Sequence, residues 1–227
     1  MNRLLATAFE PFAGAQSNSS QWVLEDLAAA GVSGWELETL LLPVVYDEAP
    51  ALLLERARGV QPGAVLMLGM AKASRVVKVE ACSRNLDNRA LADNAGVLRE
   101  AQPIFDGGDA QLESPWAPRQ WRDALLAAGI PARVSHDAGG FLCNHCYHHA
   151  LASGNRAIFL HVPAPASDAG GWQRHEATAF ARVLARLIPL LAAWRSQPAT
   201  HLFTSTPTPS ISTCTSSPGF RNTCGSR

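Results

Sequence analysis

The chain has 227 residues, 47% of them hydrophobic and 17% charged, which is enough apolar side chain to form one sizeable core. Lysine and arginine together number 19, as do aspartate and glutamate, so the formal net charge is zero. This balance argues against nucleic acid or an anionic membrane as a partner, because both are bound through a surplus of positive charge, and it favours a small, nearly neutral ligand.

Short apolar runs alternate with amphipathic segments along the chain, an order typical of α/β proteins. The predicted strands are 3–7, 36–45, 64–68, 76–80, 132–135 and 158–162. The predicted helices are 21–30 with Asn18, Ser19 or Ser20 near its cap, 48–58, 118–128, 144–152, and 172–194 with a kink at Pro189. The run 64–68 is apolar throughout, which suits a strand buried on both faces. The sequence therefore predicts a three-layer α/β/α sandwich around a largely parallel or mixed sheet.

The last stretch of the chain differs in composition from the rest. Residues 198–227 are dominated by Ser, Thr and Pro and have almost no periodic apolar residues. Such a segment cannot bury enough surface to become ordered. We therefore expect one folded domain over 1–197, followed by a disordered tail over 198–227.

The remaining global features indicate a cytoplasmic protein. No apolar run approaches the roughly 20 residues that a membrane span requires. Residues 1–12 lack the basic and then apolar layout of a signal peptide, because Glu10 and Pro11 interrupt the apolar residues. Five cysteines, an odd number, fit reduced thiols better than a disulfide framework.

Cys143 stands in a sequence context that favours a reactive thiol. It follows the pair Gly139 and Gly140, which permits a tight turn, and it immediately precedes the predicted helix 144–152. Unpaired backbone N–H groups and the positive end of the helix dipole gather at such a position, and both lower the pKa of a thiol. Cys143 is therefore a candidate nucleophile.

Two other segments offer partners for this thiol. The apolar run 157–162 delivers His161 at the carboxyl end of a predicted strand, just before Pro163. The alternating segment 76–80 ends on Glu80, a carboxylate that could orient an imidazole. The three residue types match the roles of a Cys-His-acid triad.

Several separate segments resemble the pyroglutamyl peptidase I family of cysteine exopeptidases, also called pyrrolidone-carboxylate peptidases. The segment 7–14, Thr-Ala-Phe-Glu-Pro-Phe-Ala-Gly, is similar to the family's amino-terminal Gly-Phe-Glu-Pro-Phe-x-Gly signature. The segment 69–94 resembles the stretch that holds the family's catalytic glutamate. The likeness is strongest at 137–144 and 159–163, which are similar to the cysteine and histidine motifs. It covers about 4–194 with gaps and fades over 99–118.

The resemblance implies a role for each matched residue. Cys143 would be the nucleophile, His161 the general acid and base, and Glu80 the support of that histidine. Substrate would be bound by Phe9 and Phe12, which form a pocket for its ring, and by Asn18 and Met70. Met70 stands where many bacterial members carry glutamine, and Arg84 and Ala90 also depart from the family pattern. The implied activity removes an amino-terminal pyroglutamyl residue from peptides, without metal or organic cofactor, in a protein that could be a homo-oligomer.

Each residue by itself also has a purely structural interpretation. Cys143 could be a buried thiol and His161 a hydrogen-bonded strand-end histidine, while Phe9 and Phe12 are of a type that is usually core. Cys143 and Cys146 also form a C-x-x-C with His145 and His149 nearby, so a zinc site or a redox dithiol is an alternative. A non-catalytic binding protein of the same fold is a further alternative. The joint presence of cysteine, histidine and glutamate in family order favours the peptidase.

Overall fold

A computed structural model describes residues 2–166 and 171–190 of the chain. Its strands are β1 Asn2–Phe9, β2 Trp35–Leu42, β3 Ala64–Ala71, β4 Val77–Glu80, β5 Cys82–Arg84, β6 Asp87–Arg89, β7 Arg99–Gln102, β8 Gln111–Glu113, β9 Ala132–Ser135 and β10 Ala157–Pro163. Its helices are α1 Ser19–Ala30, α2 Glu48–Val60, α3 Pro118–Ala127, α4 Leu142–Ala152 and α5 Arg174–Leu187, followed by a 3₁₀ turn at Ile188–Leu190. The predicted tail, 198–227, lies outside the described residues and stays a prediction.

Six of these strands form one mixed sheet in the order β2-β1-β3-β10-β4-β9. The first four strands in that order run parallel to one another. Strand β4 runs antiparallel to β10, and β9 runs parallel to β4. In this antiparallel register Glu80 stands opposite Phe159 and Lys78 opposite His161, so Glu80 and His161 are diagonal neighbours across the pair.

The core divides into two clusters, one on each face of the sheet, as the alternating side chains of the central strands require. In β10, Ile158 and Leu160 join the cluster that packs against α1, α3 and α5. Phe159 joins the other cluster, which packs against α2 and α4. Helices thus cover both faces, and the predicted three-layer α/β/α architecture is confirmed. His161, two residues after Phe159, faces the side of the sheet that α4 covers.

The observed boundaries correct several predicted ones. Strand β2 ends at Leu42, next to the Pro43 near which the strand was expected to end, so residues 43–45 are not part of it, because proline has no N–H to continue the ladder. Helix α4 begins at Leu142 rather than at residue 144, so Cys143 lies inside its first turn. Helix α5 ends at Leu187, before Pro189, which sits in the 3₁₀ turn instead of kinking a longer helix. The part of the predicted helix beyond residue 190 lies outside the described residues.

Two small ribbons between β4 and α3 were not predicted from the sequence. Strand β5 pairs with β8, and β6 pairs with β7, both antiparallel. The amide of Asn85 organises this region: Oδ1 accepts from the backbone N–H groups of Ile104 and Phe105 at 2.9 and 2.8 Å. None of the helices in the described residues is long and apolar enough to cross a membrane.

Candidate active site

Cys143 lies in the first turn of α4, where Phe141 is the N-cap and no side chain caps the helix. The first-turn N–H groups of a helix have no partner within it, so those of α4 are free of side-chain capping and available to a bound group. The turn before the helix is held by Asp137, whose Oδ1 accepts from the N–H of Gly139 at 2.9 Å. Gly139 has a φ of 89°, a left-handed conformation that favours glycine.

The neighbouring residue, Asn144, fixes this end of the helix to the chain that follows Glu80. Its Oδ1 accepts from the N–H of Arg84, and its Nδ2 donates to the carbonyl of Arg84, both at 2.8 Å, and to that of Leu86 at 3.1 Å. Asn144 is fully buried, where such amide contacts are worth most. Helix α4, which carries Cys143, is therefore tied to β5, which begins two residues after Glu80.

His161 and Glu80 form the second part of the site. Glu80 Oε1 and His161 Nδ1 are 2.8 Å apart, with the carboxylate fully buried and the imidazole 6% exposed. A side-chain interaction with Cys143 also acts on the ring, and because Nδ1 already contacts Glu80, Nε2 is the nitrogen left for the thiol. The three side chains therefore form a continuous chain from thiol to imidazole to carboxylate.

Cys143 and Glu80 also raise the pKa of His161. Burial by itself lowers that pKa, since it penalises the charged ring. The hydrogen bond and charge of Cys143, followed by those of Glu80, outweigh burial and raise the pKa to about 9. The imidazole is therefore protonated at neutral pH, as required of a group that pairs with a thiolate and later donates a proton.

The second carboxylate oxygen of Glu80, Oε2, is buried and has no hydrogen-bond partner among the described residues. A buried carboxylate oxygen without a partner is costly, and such atoms concentrate at functional sites. The nearby hydroxyl of Tyr147 donates instead to the backbone carbonyl of Glu80, at 3.3 Å. Among the described residues, the hydrogen bond of the Glu80 carboxylate is therefore the one that Oε1 makes with His161.

A cavity of about 330 Å³, called here the catalytic cavity, opens onto Cys143 and His161. Phe12 and Phe141 line it with ring centroids 5.7 Å apart, and Met70 adds an apolar wall. The other lining residues are Ala71, Lys72, Ala73, Lys78, Arg89, Leu91, Asp137, Ala138, Gly139 and Gly140. Because these two rings contact each other, they form one aromatic wall, against which the cavity can hold a flat apolar group beside a thiol.

Two of the residues expected at the substrate lie elsewhere. Phe9 is 2% exposed and packs in the core, its ring centroid 6.5 Å from that of Phe159, and it does not line the catalytic cavity. Asn18 is also buried and caps α1: its Oδ1 accepts from the N–H of Ser20 at 3.0 Å and its Nδ2 donates to the carbonyl of Glu10 at 3.1 Å. Phe12 and Met70, in contrast, line the cavity as the resemblance implies.

Cys146 does not share the environment of Cys143. It is fully buried in the core cluster that contains Phe159, and burial raises the pKa of its thiol well above the usual value. His145 is held by Asp87, with Nδ1 at 2.9 Å from Oδ2. Within residues 2–166 and 171–190, no group of three or more His, Cys, Asp or Glu side chains is arranged to hold a metal ion.

Sequence reasoning did not nominate several residues of the cavity wall, among them Phe141, Lys72, Lys78 and Arg89. Phe141 stands in the cysteine motif but was not recognised as a second ring that packs beside Phe12. Lys78 could have been found from strand alternation, which places it on the same face as Glu80, two residues later. Arg89 lines the cavity one position before Ala90, where the family commonly has arginine. A register shift between Asp87 and Arg89 in the β6–β7 ribbon accompanies this placement.

Comparison with known proteins connects this geometry to one family. Residues 2–169 match the sequence profile described as pyroglutamyl peptidase. The chain is similar to a pyrrolidone-carboxylate peptidase of Vibrio vulnificus strain YJ016, with 34% identity over 167 residues, 72% of this chain and 79% of the relative. It is similar to another of Gloeobacter violaceus, with 37% identity over 166 residues, 71% of this chain and 81% of the relative.

Solved structures agree with the sequence matches. The pyrrolidone carboxyl peptidase of Fervidobacterium islandicum superposes with a TM-score of 0.76 at 26% identity. The superposition covers 86% of this chain and 100% of the Fervidobacterium chain. The corresponding enzyme from Thermus thermophilus superposes with a TM-score of 0.74 at 31% identity, covering 81% of this chain and 98% of that one. The fold is thus shared over nearly the full length of these two solved enzymes, with 26 and 31% of the residues identical.

Proposed function

The chain belongs to the pyroglutamyl peptidase family, and we propose that Cys143, His161 and Glu80 perform its reaction, the hydrolysis of the amide bond that follows an amino-terminal pyroglutamyl residue. The protein is a cysteine peptidase, a hydrolase that acts on peptides. The observation that supports the assignment of roles is the chain of contacts from the Cys143 thiol through His161 to Glu80 Oε1 at 2.8 Å.

Acylation begins with the thiolate of Cys143. Its sulfur attacks the carbonyl carbon of the pyroglutamyl residue, and the negative charge moves to the carbonyl oxygen. The uncapped backbone N–H groups in the first turn of α4 are candidate donors to this oxyanion. When the tetrahedral intermediate collapses, the carbon–nitrogen bond breaks and His161 gives its proton to the departing amine. A pyroglutamyl thioester on Cys143 remains.

Deacylation reverses the roles of the same residues. The now neutral imidazole of His161 takes a proton from a water molecule, whose oxygen attacks the thioester carbonyl. The carbon–sulfur bond then breaks, which frees pyroglutamate and restores the thiolate beside an imidazolium. Glu80 holds the Nδ1 proton throughout, so the ring keeps its orientation and the imidazolium is stabilised each time it forms.

Specificity follows from the chemistry of the pyroglutamyl ring. The ring is a flat, uncharged lactam without a free α-amine, so aromatic faces can cover it while backbone groups meet its N–H and C=O. Phe12 and Phe141 supply the faces, and the backbone of 138–140 lines the same cavity. Phe9, the last residue of β1, packs in the core and does not line this cavity.

A cytoplasmic location is part of the proposal. Cys82, Cys143 and Cys146 are free thiols, and a thiolate nucleophile needs a reducing compartment to remain in that state. The possible homo-oligomer implied by the resemblance stays a prediction, which sedimentation of the purified protein tests.

A fluorogenic assay tests the proposed function. We expect release of naphthylamine from pyroglutamyl-naphthylamide and not from prolyl-naphthylamide. Iodoacetamide should abolish the activity, whereas a chelator should leave it unchanged. Cys146→Ala serves as the matched control, because it should keep both activity and sensitivity to iodoacetamide. Loss of activity with chelator, or hydrolysis of the prolyl amide at a similar rate, would contradict the assignment.

A further inference from the structure

A second cavity, called here the side groove, adjoins the catalytic cavity. It measures about 680 Å³ and shares Met70, Lys72 and Ala73 with the catalytic cavity. Its other described walls are the loop 13–17 and Ser74, Arg75, Ala164, Pro165 and Gly171. A peptide whose first residue occupies the catalytic cavity therefore has open space in which to continue, since the two cavities meet along a common wall.

Positive charge dominates the walls of these two cavities. Besides His161, the cationic side chains Lys72, Lys78 and Arg89 line the catalytic cavity, and Arg75 lines the side groove. Among the described lining residues the acidic one is Asp137, and its carboxylate is already 2.5 Å from the guanidinium of Arg84. In a chain with a formal net charge of zero, this local excess makes the mouth of the active site attractive to anions.

Lys72 and Lys78 distinguish this cationic surface from the rest of the protein. Lys72 and Lys78 are the only lysines in the whole sequence, and both line the catalytic cavity. Neither forms an ion pair with an acidic residue in the described part of the chain. The Lys72 ammonium lies 5.2 Å from the centroid of the Phe12 ring, so one lysine stands at the ring pocket and the junction with the side groove.

Lys78 stands beside the group that protonates the leaving amine. It is the register partner of His161 across the antiparallel pair β4–β10, and its side chain lines the same cavity. The residue that departs begins at the nitrogen that His161 protonates. An anionic group close to that nitrogen therefore lies near one or both lysine ammonium groups.

We propose that Lys72 and Lys78 make the enzyme selective for leaving peptides with a carboxylate close to the scissile bond. The proposal rests on the proposed function and specifies its substrate class. Two sources supply the same chemistry: the free α-carboxylate of a pyroglutamyl dipeptide, and the side chain of an aspartate or glutamate just after the pyroglutamyl residue. The lysines act as point charges on flexible stems, which suits a carboxylate in more than one position.

Paired substrates of equal size test the proposal. pGlu-Ala with a free carboxylate is compared with its amide, and pGlu-Glu-amide with pGlu-Gln-amide, which separates the two sources. At low ionic strength we expect the carboxylate member of at least one pair to have a kcat/KM about 10-fold higher, a typical effect of charges several ångströms apart near a surface. In about 0.5 M salt the ratio should fall towards one, because salt screens exposed charges.

Substitutions at the two lysines test whether they cause the difference in kcat/KM between the members of each pair. Lys72→Gln and Lys78→Gln should each reduce the ratio, and Lys72→Glu should bring it to one or below. Arg119→Gln is the matched control, since it removes one positive charge from the exposed surface of α3, away from both cavities. Equal kcat/KM values for both pairs at low salt, or a ratio that survives both lysine variants, would overturn the proposal.

Failure of the proposed function would look different. In that case no pyroglutamyl peptide, charged or neutral, would be hydrolysed by any variant. The same pairs would then be compared by calorimetric binding to Cys143→Ala, where the carboxylate members should still have the lower Kd. Equal Kd values there would refute the selectivity independently of catalysis.

Discussion

Glu80 and His161 contact each other diagonally across adjacent strands. In the register of β4 and β10, Glu80 stands opposite Phe159, and it is Lys78 that stands opposite His161. The Glu80 carboxylate nevertheless lies 2.8 Å from His161 Nδ1. Diagonal neighbours in an antiparallel pair are about 7–8 Å apart, a separation that only a long side chain can bridge. The contact therefore depends on the length of glutamate as well as on its charge.

This geometry predicts that neither an uncharged nor a shorter replacement preserves the function of Glu80. Glu80→Gln keeps the length and loses the charge, while Glu80→Asp keeps the charge and withdraws it from the ring. Both should lower kcat by about 10²- to 10⁴-fold, since each leaves nucleophile and base in place but removes orientation or charge support. Steady-state kinetics with near-UV circular dichroism as a check on folding would measure this. Wild-type kcat in Glu80→Asp would show that the diagonal contact is dispensable.

Stability should depend on pH through His161. Its folded pKa of about 9 exceeds the ordinary 6.5, so folding takes up a proton and the contribution is fully present below pH 6.5. It is lost as pH rises through about 9. Urea unfolding from pH 6 to pH 10 should therefore show wild type losing stability relative to His161→Gln. In Cys143→Ala the pKa of His161, followed by NMR, should fall because the thiolate no longer supports it. Parallel stability curves, or an unchanged pKa, would count against the ion pair.

Cys143 and His161 should behave as one unit in kinetics. Each alanine variant should lose nearly all turnover, by about 10³-fold or more, and the double variant should be scarcely worse, because residues that act together are not additive. Cys146→Ala should retain activity, with a loss of stability of about 1 kcal/mol from its buried site. Full activity in Cys143→Ala, or inactivation of a folded Cys146→Ala, would remove the basis of the mechanism.

Gly69 leaves the space that the thiol of Cys143 occupies. A Cβ at this position would lie 2.9 Å from Cys143 Sγ and 2.6 Å from Cζ of Phe159, closer than such atoms approach. Gly69→Ala should therefore displace the sulfur and lower kcat by about 10²-fold, the effect expected of a misplacement near 1 Å. Gly59→Ala on α2 is the control, because a Cβ there meets nothing within 4 Å. The control should keep full activity and gain up to about 1 kcal/mol.

Alanine substitutions at Phe12 and Phe9 should have different effects, the first on substrate binding and the second on the stability of the fold. Phe12→Ala removes one face of the ring pocket, so kcat/KM on pyroglutamyl-naphthylamide should fall by about 10-fold or more, with a small change in melting temperature. Phe9→Ala leaves the pocket surface intact but opens the core, at a cost of about 3–5 kcal/mol in the free energy of unfolding. If Phe12→Ala bound the substrate normally, the ring would have to lie elsewhere in the cavity.

The contrast between these two phenylalanines shows where sequence reasoning stops. The proposed catalytic side chains could be nominated from the sequence, because Cys143 follows a glycine pair and His161 ends an apolar run. Phe9 and Phe12 carry the same side chain in one short motif, and only the packed structure shows that Phe9 points into the core while Phe12 lines the cavity. The ribbons β5–β8 and β6–β7 were not predicted, since strands of three or four residues are too short to establish a period.

Because both lysines line the catalytic cavity, their position also limits which chemical labels the protein can carry. Reagents that acylate primary amines, such as activated esters used to attach dyes or resins, find side-chain targets in this sequence only at Lys72 and Lys78. Apart from the amino terminus, every such attachment would sit at the mouth of the active site and obstruct it. Labelling with substrate bound and without it would therefore report directly on occupancy of the site.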